Sequence, residues 1–296
     1  MRVFVTGASG WIGSASVREL LTAGHEVVGL ARSDASADIV AGLGARVHRG
    51  DLDDLPSLQT GAAECDGVVH LGYNHDFSRI PDAARTDLAA IEAIGDVLAG
   101  TGAPLLIASG TLGLPPGKIA TESDLPEGDG HPRVANARAA MSLADRGVRS
   151  IVVRFAPTVH GPGDHGFISR LVGFARENGV SAYVGDGANR WPAVHRLDAA
   201  SLVRFALEDA PAGAIVHATA EDGVATRTIA EAIGRGLDLP VVSIGAERAT
   251  EHFSWLGQFF AADVPASSAG TQHLLGWKPT RATLIEDLDA GYYFGS

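Results

Sequence analysis

The sequence predicts an α/β protein: a doubly wound parallel sheet with a smaller C-terminal lobe. Two patterns predict it. Six short apolar runs, "RVFVTG", "HEVVGLAR", "ARVHRGD", "DGVVHLG", "APLLIASG" and "RSIVVRFA", alternate with helix-length segments in the first half of the chain. Strands that are apolar throughout and separated by helices belong to a parallel sheet covered on both faces. The second pattern is a glycine triplet, Gly7, Gly10 and Gly13, at the first strand–helix junction.

Taken in order, "VFVTG" is the first strand and "WIGSASVRELLTAG" the helix that follows. "ADIVAGLG", "RTDLAAIEAIGDVLAGTG" and "ANARAAMSLADRG" supply later crossovers. Gly24, Gly102 and Gly147 end helices just before strands, as a left-handed C-terminal cap requires. Beyond about residue 156 the texture changes. "PTVHGPGDHG" reads as a loop, "FISRLVGFARENG" and "AASLVRFALED" as helices, and "AIVHATA" and "PVVSIG" as strands. The expected division is a dinucleotide-binding domain over 1–155, with returns at about 193–220. The smaller, substrate-binding lobe is then 156–192 plus 221–296, and the boundary is a cleft rather than a linker. The aromatic stretch "HFSWLGQFF" (252–260) reads as one amphipathic helix, for core packing first and a substrate pocket or dimer face second.

Composition narrows the function classes. Of 296 residues, 46% are hydrophobic, enough for a full core, and 37 glycines suit many tight turns. A formal charge of −12 argues against a nucleic-acid groove or an anionic membrane surface. One cysteine, Cys65, rules out an intrachain disulfide framework and fits a reducing compartment. The chain opens on a strand-like run without signal-peptide architecture, and no apolar run reaches the roughly 18–20 residues that span a bilayer. The expectation is a cytoplasmic protein that takes a small-molecule substrate, as a monomer or homodimer.

The glycine triplet carries the first chemistry. Gly7 permits a tight turn, Gly10 lets backbone approach a pyrophosphate, and Gly13 lets the helix pack close to the sheet. The helix N-terminus then faces the anion, so Ser9, Trp11 and Ile12 line the same turn. The end of the second strand selects the cofactor. An acid there binds the ribose 2′-hydroxyl of NAD, and an arginine accommodates the 2′-phosphate of NADP. "VVGLARSD" places Arg32 and Ser33 at that point, which favours NADP(H) over NAD(H); Asp34, just beyond, leaves NAD open.

Together "TGASGWIG", "ARS", "GDLDD", "VVHLG", "IASGT", "VRFAPTVHGPGD", "VHRLDAA" and "LGWKPT" resemble the short-chain dehydrogenase/reductase superfamily, a Rossmann fold. The closest likeness is to its extended or atypical branch, related to NAD-dependent epimerases and dehydratases. The resemblance covers nearly the whole chain. It implies that Asp51 and Leu52 meet adenine, that Leu71, Gly72 and Tyr73 line the cofactor, and that backbone at Pro157, Thr158 and Val159 meets the nicotinamide amide. It also implies that Ser109 and Thr111, at the end of the fifth strand, hold the substrate oxygen, though strand-end capping is the plainer role.

One part of the family pattern is missing. Its tyrosine exchanges the substrate proton, and a lysine four residues later lowers the tyrosine pKa and holds the nicotinamide ribose. Counting back from "RGVRSIVVRF", those positions fall near Asp129 and Arg133. Between Tyr73 and Tyr183 there is no tyrosine, and the only lysine is Lys118. Arginine keeps the ribose contact and the positive field but is no proton relay near neutral pH, its pKa exceeding about 12. Candidate replacements are Tyr73, His75 with Asp76, and His160, with Asp164 and His165 behind it; each alone more often lines a cleft than reacts. His70 reads as a core histidine. His165, Arg190, Trp191 and His195 are the expected substrate wall, Arg190 for a carboxylate or phosphate and Trp191 for a ring. "HGPGDH" lacks the helical spacing of a zinc motif, so no metal is expected.

The favoured function is an NADP(H)-dependent oxidoreductase with a non-standard proton donor, acting on a small carbonyl, activated alkene, imine or sugar-like substrate. Two alternatives stay open: a non-catalytic NADP(H)-binding sensor, and a nucleotide-sugar epimerase or dehydratase.

Overall fold

A computed structural model describes residues 1–74, 79–126 and 132–295. His75, Asp76 and Asp129 lie outside them. The first half runs β1 (Arg2–Thr6), α1 (Trp11–Thr22), β2 (Glu26–Ala31), α2 (Asp34–Gly42), β3 (Arg46–Arg49), α3 (Leu55–Ala63), β4 (Gly67–His70), α4 (Ile80–Leu98), β5 (Pro104–Gly110), α5 (Pro132–Ser142) and β6 (Arg149–Phe155). The second half runs β7 (Thr158–His160), α6 (Phe167–Asn178), β8 (Ser181–Val184), β9 (Arg190–His195), α7 (Arg196–Asp209), β10 (Ala214–Ala218), β11 (Glu221–Ala225), α8 (Thr226–Leu237) and β12 (Val241–Ile244). Four short helices follow: α9 (Ala249–Phe253), α10 (Gly257–Phe260), α11 (Ala269–Leu275) and α12 (Leu284–Asp289).

Seven strands form one parallel sheet in the order β10-β6-β5-β4-β1-β2-β3. The chain winds outward from β1 in both directions, so a crevice opens between the ends of β1 and β4, the topological switch point. Alternation explains the continuous apolar runs. Val3, Val5, Val69, Leu106, Ile151 and Val153 pack with α1 and α7, while Phe4, Val68, Leu105, Ile107 and Val152 face α3, α4 and α5. Both faces are dry, as a parallel sheet requires.

A second core gathers α6, β8, β9 and α8 with the aromatic stretch, centred on Trp191, Phe253 and Phe260. Here β7 pairs parallel and β11 antiparallel with β9, and β12 pairs with β8. Leu275 and Trp277, from the stretch assigned to the smaller lobe, instead pack in the main core. The Trp277 indole donates to the Asp198 carbonyl at 3.2 Å, and the Asp198 carboxylate accepts the backbone N–H groups of Thr280 and Arg281. Thus "VHRLDAA" and "LGWKPT" hold each other.

Two local expectations are corrected, and one helix that the sequence reading did not expect is added. "PTVHGPGDHG" is not all loop, because Thr158–His160 pair with Ala193–His195 as β7. "HFSWLGQFF" is not one helix. Ser254 adopts φ 52°, which breaks it between α9 and α10, and a Cβ at Gly257 would lie 2.4 Å from the Ala249 carbonyl. Finally, α3 sits in "LPSLQTGAA", capped by Asp54 accepting from the Ser57 N–H with Pro56 in the first turn.

Candidate functional site

Two of the three glycines are required by the protein's packing on itself. Gly7 has φ 67°, and its Cβ would lie 2.7 Å from the Gly72 nitrogen. A Cβ at Gly13 would fall 2.0 Å from the Gly7 carbonyl oxygen, so α1 can approach β1 only without one. Gly10 differs. It is exposed, donates its N–H to the Gly7 carbonyl at 2.9 Å, and a Cβ there would meet only that oxygen, at 3.1 Å. With Ser9 half-buried and Ile12 packed on the main core, bare backbone at the α1 N-terminus faces the crevice. That cradle fits the pyrophosphate of a dinucleotide.

At the end of β2, Arg32 is exposed and has no hydrogen bond or ion pair among the described residues. The Ser33 hydroxyl is committed to a capping box with Ser36 at the start of α2. Asp34, the acid left open for NAD, pairs with Arg49. Asp51 accepts the Leu52 N–H at 2.6 Å, and Leu52 packs under Gly72.

At the end of β4, Leu71 donates its N–H to the Thr6 carbonyl at 3.3 Å, and Gly72 to the Thr6 hydroxyl at 3.0 Å. Beneath them lies a buried polar chain. The Thr6 hydroxyl meets His70 Nδ1 at 2.8 Å, His70 Nε2 meets Asp87 at 3.1 Å, and Asn136 donates to Asp87 at 2.6 Å. One proton arrangement satisfies each of these atoms: Thr6 donates to Nδ1, and the Nε2–H donates to Asp87. His70 is the satisfied core histidine that its strand position suggested.

Above that chain the cleft residues converge. The Arg133 guanidinium lies over the half-buried Tyr73 ring, 4.3 Å from its centroid, and donates to the Ala108 carbonyl at 3.1 Å. This brings the start of α5, the end of β4 and the end of β5, with Ser109, to one place. Burial raises the Tyr73 phenol pKa, the nearby Arg133 charge opposes it, and Asp87 adds to the rise. Thr111 donates its N–H to the Phe155 carbonyl at 3.0 Å. The Thr111 and Thr158 hydroxyls are buried without a hydrogen-bond partner among the described residues.

Trp11 turns toward the segment after β6. Its indole donates to the Val159 carbonyl at 2.8 Å, and its ring meets the exposed His165 edge-on at 5.4 Å. Arg196 stacks on the same ring at 4.1 Å and donates to the Trp11 carbonyl at 2.6 Å. Sequence reasoning did not find Arg196; no local pattern links it to a residue 185 positions away. Pro157, half-buried, enters this segment.

Other expected site residues lie away from the open cleft. His160 is fully buried, with Nδ1 against the Asp287 carboxylate at 2.6 Å. Burial pushes Asp287 up, but hydrogen bonds from His160 and Tyr292 outweigh it and hold the carboxyl below the usual range. His195 accepts the Leu197 N–H at the head of α7, and burial lowers its pKa against the pull of Asp287. Asp164 accepts from Tyr293 at 2.9 Å, and burial raises its carboxyl. One substrate-wall expectation is corrected, that for Trp191, while Arg190 has a partner within the protein. Trp191 is fully buried against Phe167 and Phe260, and Arg190 grips Asp263 through two nitrogens at 3.0 and 2.9 Å. Among the described residues no group of three or more His, Cys, Asp and Glu is placed to hold a metal ion, and no helix is long and apolar enough to cross a membrane.

Comparison with known proteins agrees with this geometry. A family model described as the NAD dependent epimerase/dehydratase family matches residues 3–218. An uncharacterized protein of Schizosaccharomyces pombe is 50% identical over 99% of this chain and 100% of its own length. A 2-alkyl-3-oxoalkanoate reductase of Stenotrophomonas maltophilia is 28% identical over 69% of this chain and 64% of its own. Among solved structures, a dTDP-glucose 4,6-dehydratase of Streptomyces venezuelae with NAD bound superposes with a TM-score of 0.77 at 22% identity, covering 99% of this chain and 96% of that one. With its seven-stranded parallel sheet and its glycine cradle at the switch point, the chain belongs to the NAD-dependent epimerase/dehydratase family.

Proposed function

We propose that the protein is an NADP(H)-dependent oxidoreductase in which Tyr73 exchanges the substrate proton and Arg133 takes the place of the family's lysine. The substrate class is a small carbonyl, activated alkene, imine or sugar-like compound. The observation that carries this reading is the Tyr73–Arg133 stack, anchored through Ala108 beside Ser109 at the edge of the crevice. When bound, the nicotinamide supplies or takes the hydride. Tyr73, its pKa raised by burial, holds its proton at neutral pH and suits a donor. The arginine charge beside it favours the phenolate left after transfer. The half-buried Ser109 supplies a hydroxyl for the substrate oxygen. Arg32, open where an acid would hold NAD, supports NADP(H). The reductase activity named for the Stenotrophomonas relative supports hydride transfer to a carbonyl.

The test is titration with NADPH and NADH by nicotinamide fluorescence, then a screen of aldehydes, ketones, enones and imines. Tighter NADPH binding, with turnover that Tyr73→Phe abolishes, is the expected result. Bound cofactor without hydride transfer to any acceptor overturns the enzyme reading in favour of a sensor.

A further inference from the structure

We propose that Arg49 is a second ligand of the cofactor 2′-phosphate and that Asp34 is its resident competitor, so that this pair sets the NADP/NAD selectivity. The inference rests on the NADP(H) reading above and extends it to two residues which that reading does not use.

The placement comes from sheet register. β2 and β3 run parallel with Ala31 opposite Arg49, and the Gly50 N–H reaches the Ala31 carbonyl at 3.3 Å. Adjacent strands lie about 4.8 Å apart. Arg49 therefore ends its strand one residue short of Arg32 and beside the first turn of α2, where Asp34 holds it. The two arginines flank one turn. Arg32 alone is a sparse phosphate site, and the Ser33 hydroxyl cannot complete it while it both accepts the Ser36 N–H and meets the Ser36 hydroxyl. Arg49 is the next polar group at hand.

The Asp34–Arg49 pair opens at little cost. Their side chains are 91% and 53% exposed, and exposed ion pairs contribute little to stability. A phosphate monoester brings up to two negative charges and three acceptor oxygens, a better match for a guanidinium than one carboxylate. When it arrives, Arg49 exchanges the carboxylate for the phosphate, and Asp34 is left as a nearby like charge. Without the 2′-phosphate the pair stays closed. Asp34 thus opposes NADP(H) binding through its charge and by occupying Arg49.

The experiment measures dissociation constants of NADPH, NADH, adenosine 2′,5′-bisphosphate and 5′-AMP for the full chain and for Arg32→Gln, Arg49→Gln and Asp34→Asn. Arg49→Gln is expected to weaken NADPH and the bisphosphate about tenfold, the loss of one charged contact, and to leave NADH and 5′-AMP unchanged. Asp34→Asn is expected to tighten NADPH several-fold, more so at low salt. If Arg32→Gln removes the NADPH preference while Arg49→Gln leaves it intact, this inference is overturned and the NADP(H) reading stands. If neither arginine matters, both are overturned. Should Arg49→Gln fail to fold, Asp34→Asn decides, and an unchanged NADPH/NADH ratio overturns the inference.

Discussion

The guanidinium of Arg133 stands 4.3 Å above the Tyr73 ring, tying the first turn of α5 to the end of β4. A cation over an aromatic face contributes roughly 0.5–2 kcal/mol, depending on how dry the site is. Its greater importance here is electrical. It places a positive charge next to the Tyr73 phenol.

Tyr73→Phe keeps the stacking surface and removes the proton. NADPH affinity is expected to stay within about twofold, while turnover falls roughly 10²–10⁴-fold, the usual range for loss of a general acid. Arg133→Gln should act differently. The Arg133 charge lowers the Tyr73 pKa against the dominant effect of burial, so its removal raises that pKa. The basic limb of the pH–rate profile, where a proton donor is lost, then moves to higher pH. A limb that stays in place would exclude Tyr73 as the titrating group.

Gly13→Ala and Gly10→Ala are expected to separate folding from binding. A methyl group at 13 would sit 2.0 Å from the Gly7 carbonyl, so α1 must shift, at a cost of about 1–3 kcal/mol seen in denaturant midpoints. At 10 the same methyl meets one oxygen at 3.1 Å, and the fold is expected to give by a few tenths of an ångström. Stability there should change by less than about 1 kcal/mol, while dinucleotide affinity falls because the methyl adds bulk to the exposed backbone of the cradle. Equal destabilisation by both substitutions would contradict this division.

Asp87 gives a pH prediction. Burial pushes its carboxyl up, yet the hydrogen bonds from His70 and Asn136 and the charge of Arg133 outweigh it and hold the pKa below the ordinary value. A depressed carboxyl contributes stability above its unfolded pKa of about 3.9, and that contribution is lost as pH falls through the folded value. Asp87→Ala also leaves the donors of His70 and Asn136 unpaired, costing about 1–3 kcal/mol each. The stability gap from wild type should be widest above about pH 5 and narrow below about pH 4. Urea unfolding across that range checks it; a gap independent of pH would place the charge elsewhere.

What was legible in the sequence was what is local. The inner strands are short apolar runs, because both faces of the sheet are dry there, whereas the edge strand β3 (Arg46–Arg49) has Val47 as its one apolar residue; the glycine turn is a contiguous pattern. α3 is poorly marked in the sequence because its apolar positions are few; the Asp54 cap and Pro56 are its local signs. The break at Ser254 had none, since serine rarely adopts φ 52°. Tyr73, Arg133 and Ser109 were each singled out by position, but their meeting is a tertiary event. So are the engagement of Asp34 by Arg49 and of Trp11 by Arg196. Burial of a His or Trp leaves no local signature, so the sequence points His160 and Trp191 to the cleft, whereas in the fold both are sealed inside.

The bond between His160 and Asp287 also bears on how the protein is made. A ribosome delivers His160 127 residues before the carboxylate that closes over it. At about 5–20 residues per second, that is an interval of roughly 6–25 s. The parallel sheet is nearly all synthesised by then and can assemble early, whereas β7 and β9 wait for α12 with a buried imidazole uncovered. Nascent chains should therefore acquire the dinucleotide crevice before the neighbouring core is sealed. Chains stalled short of residue 284 should keep that core open to chaperones and proteases.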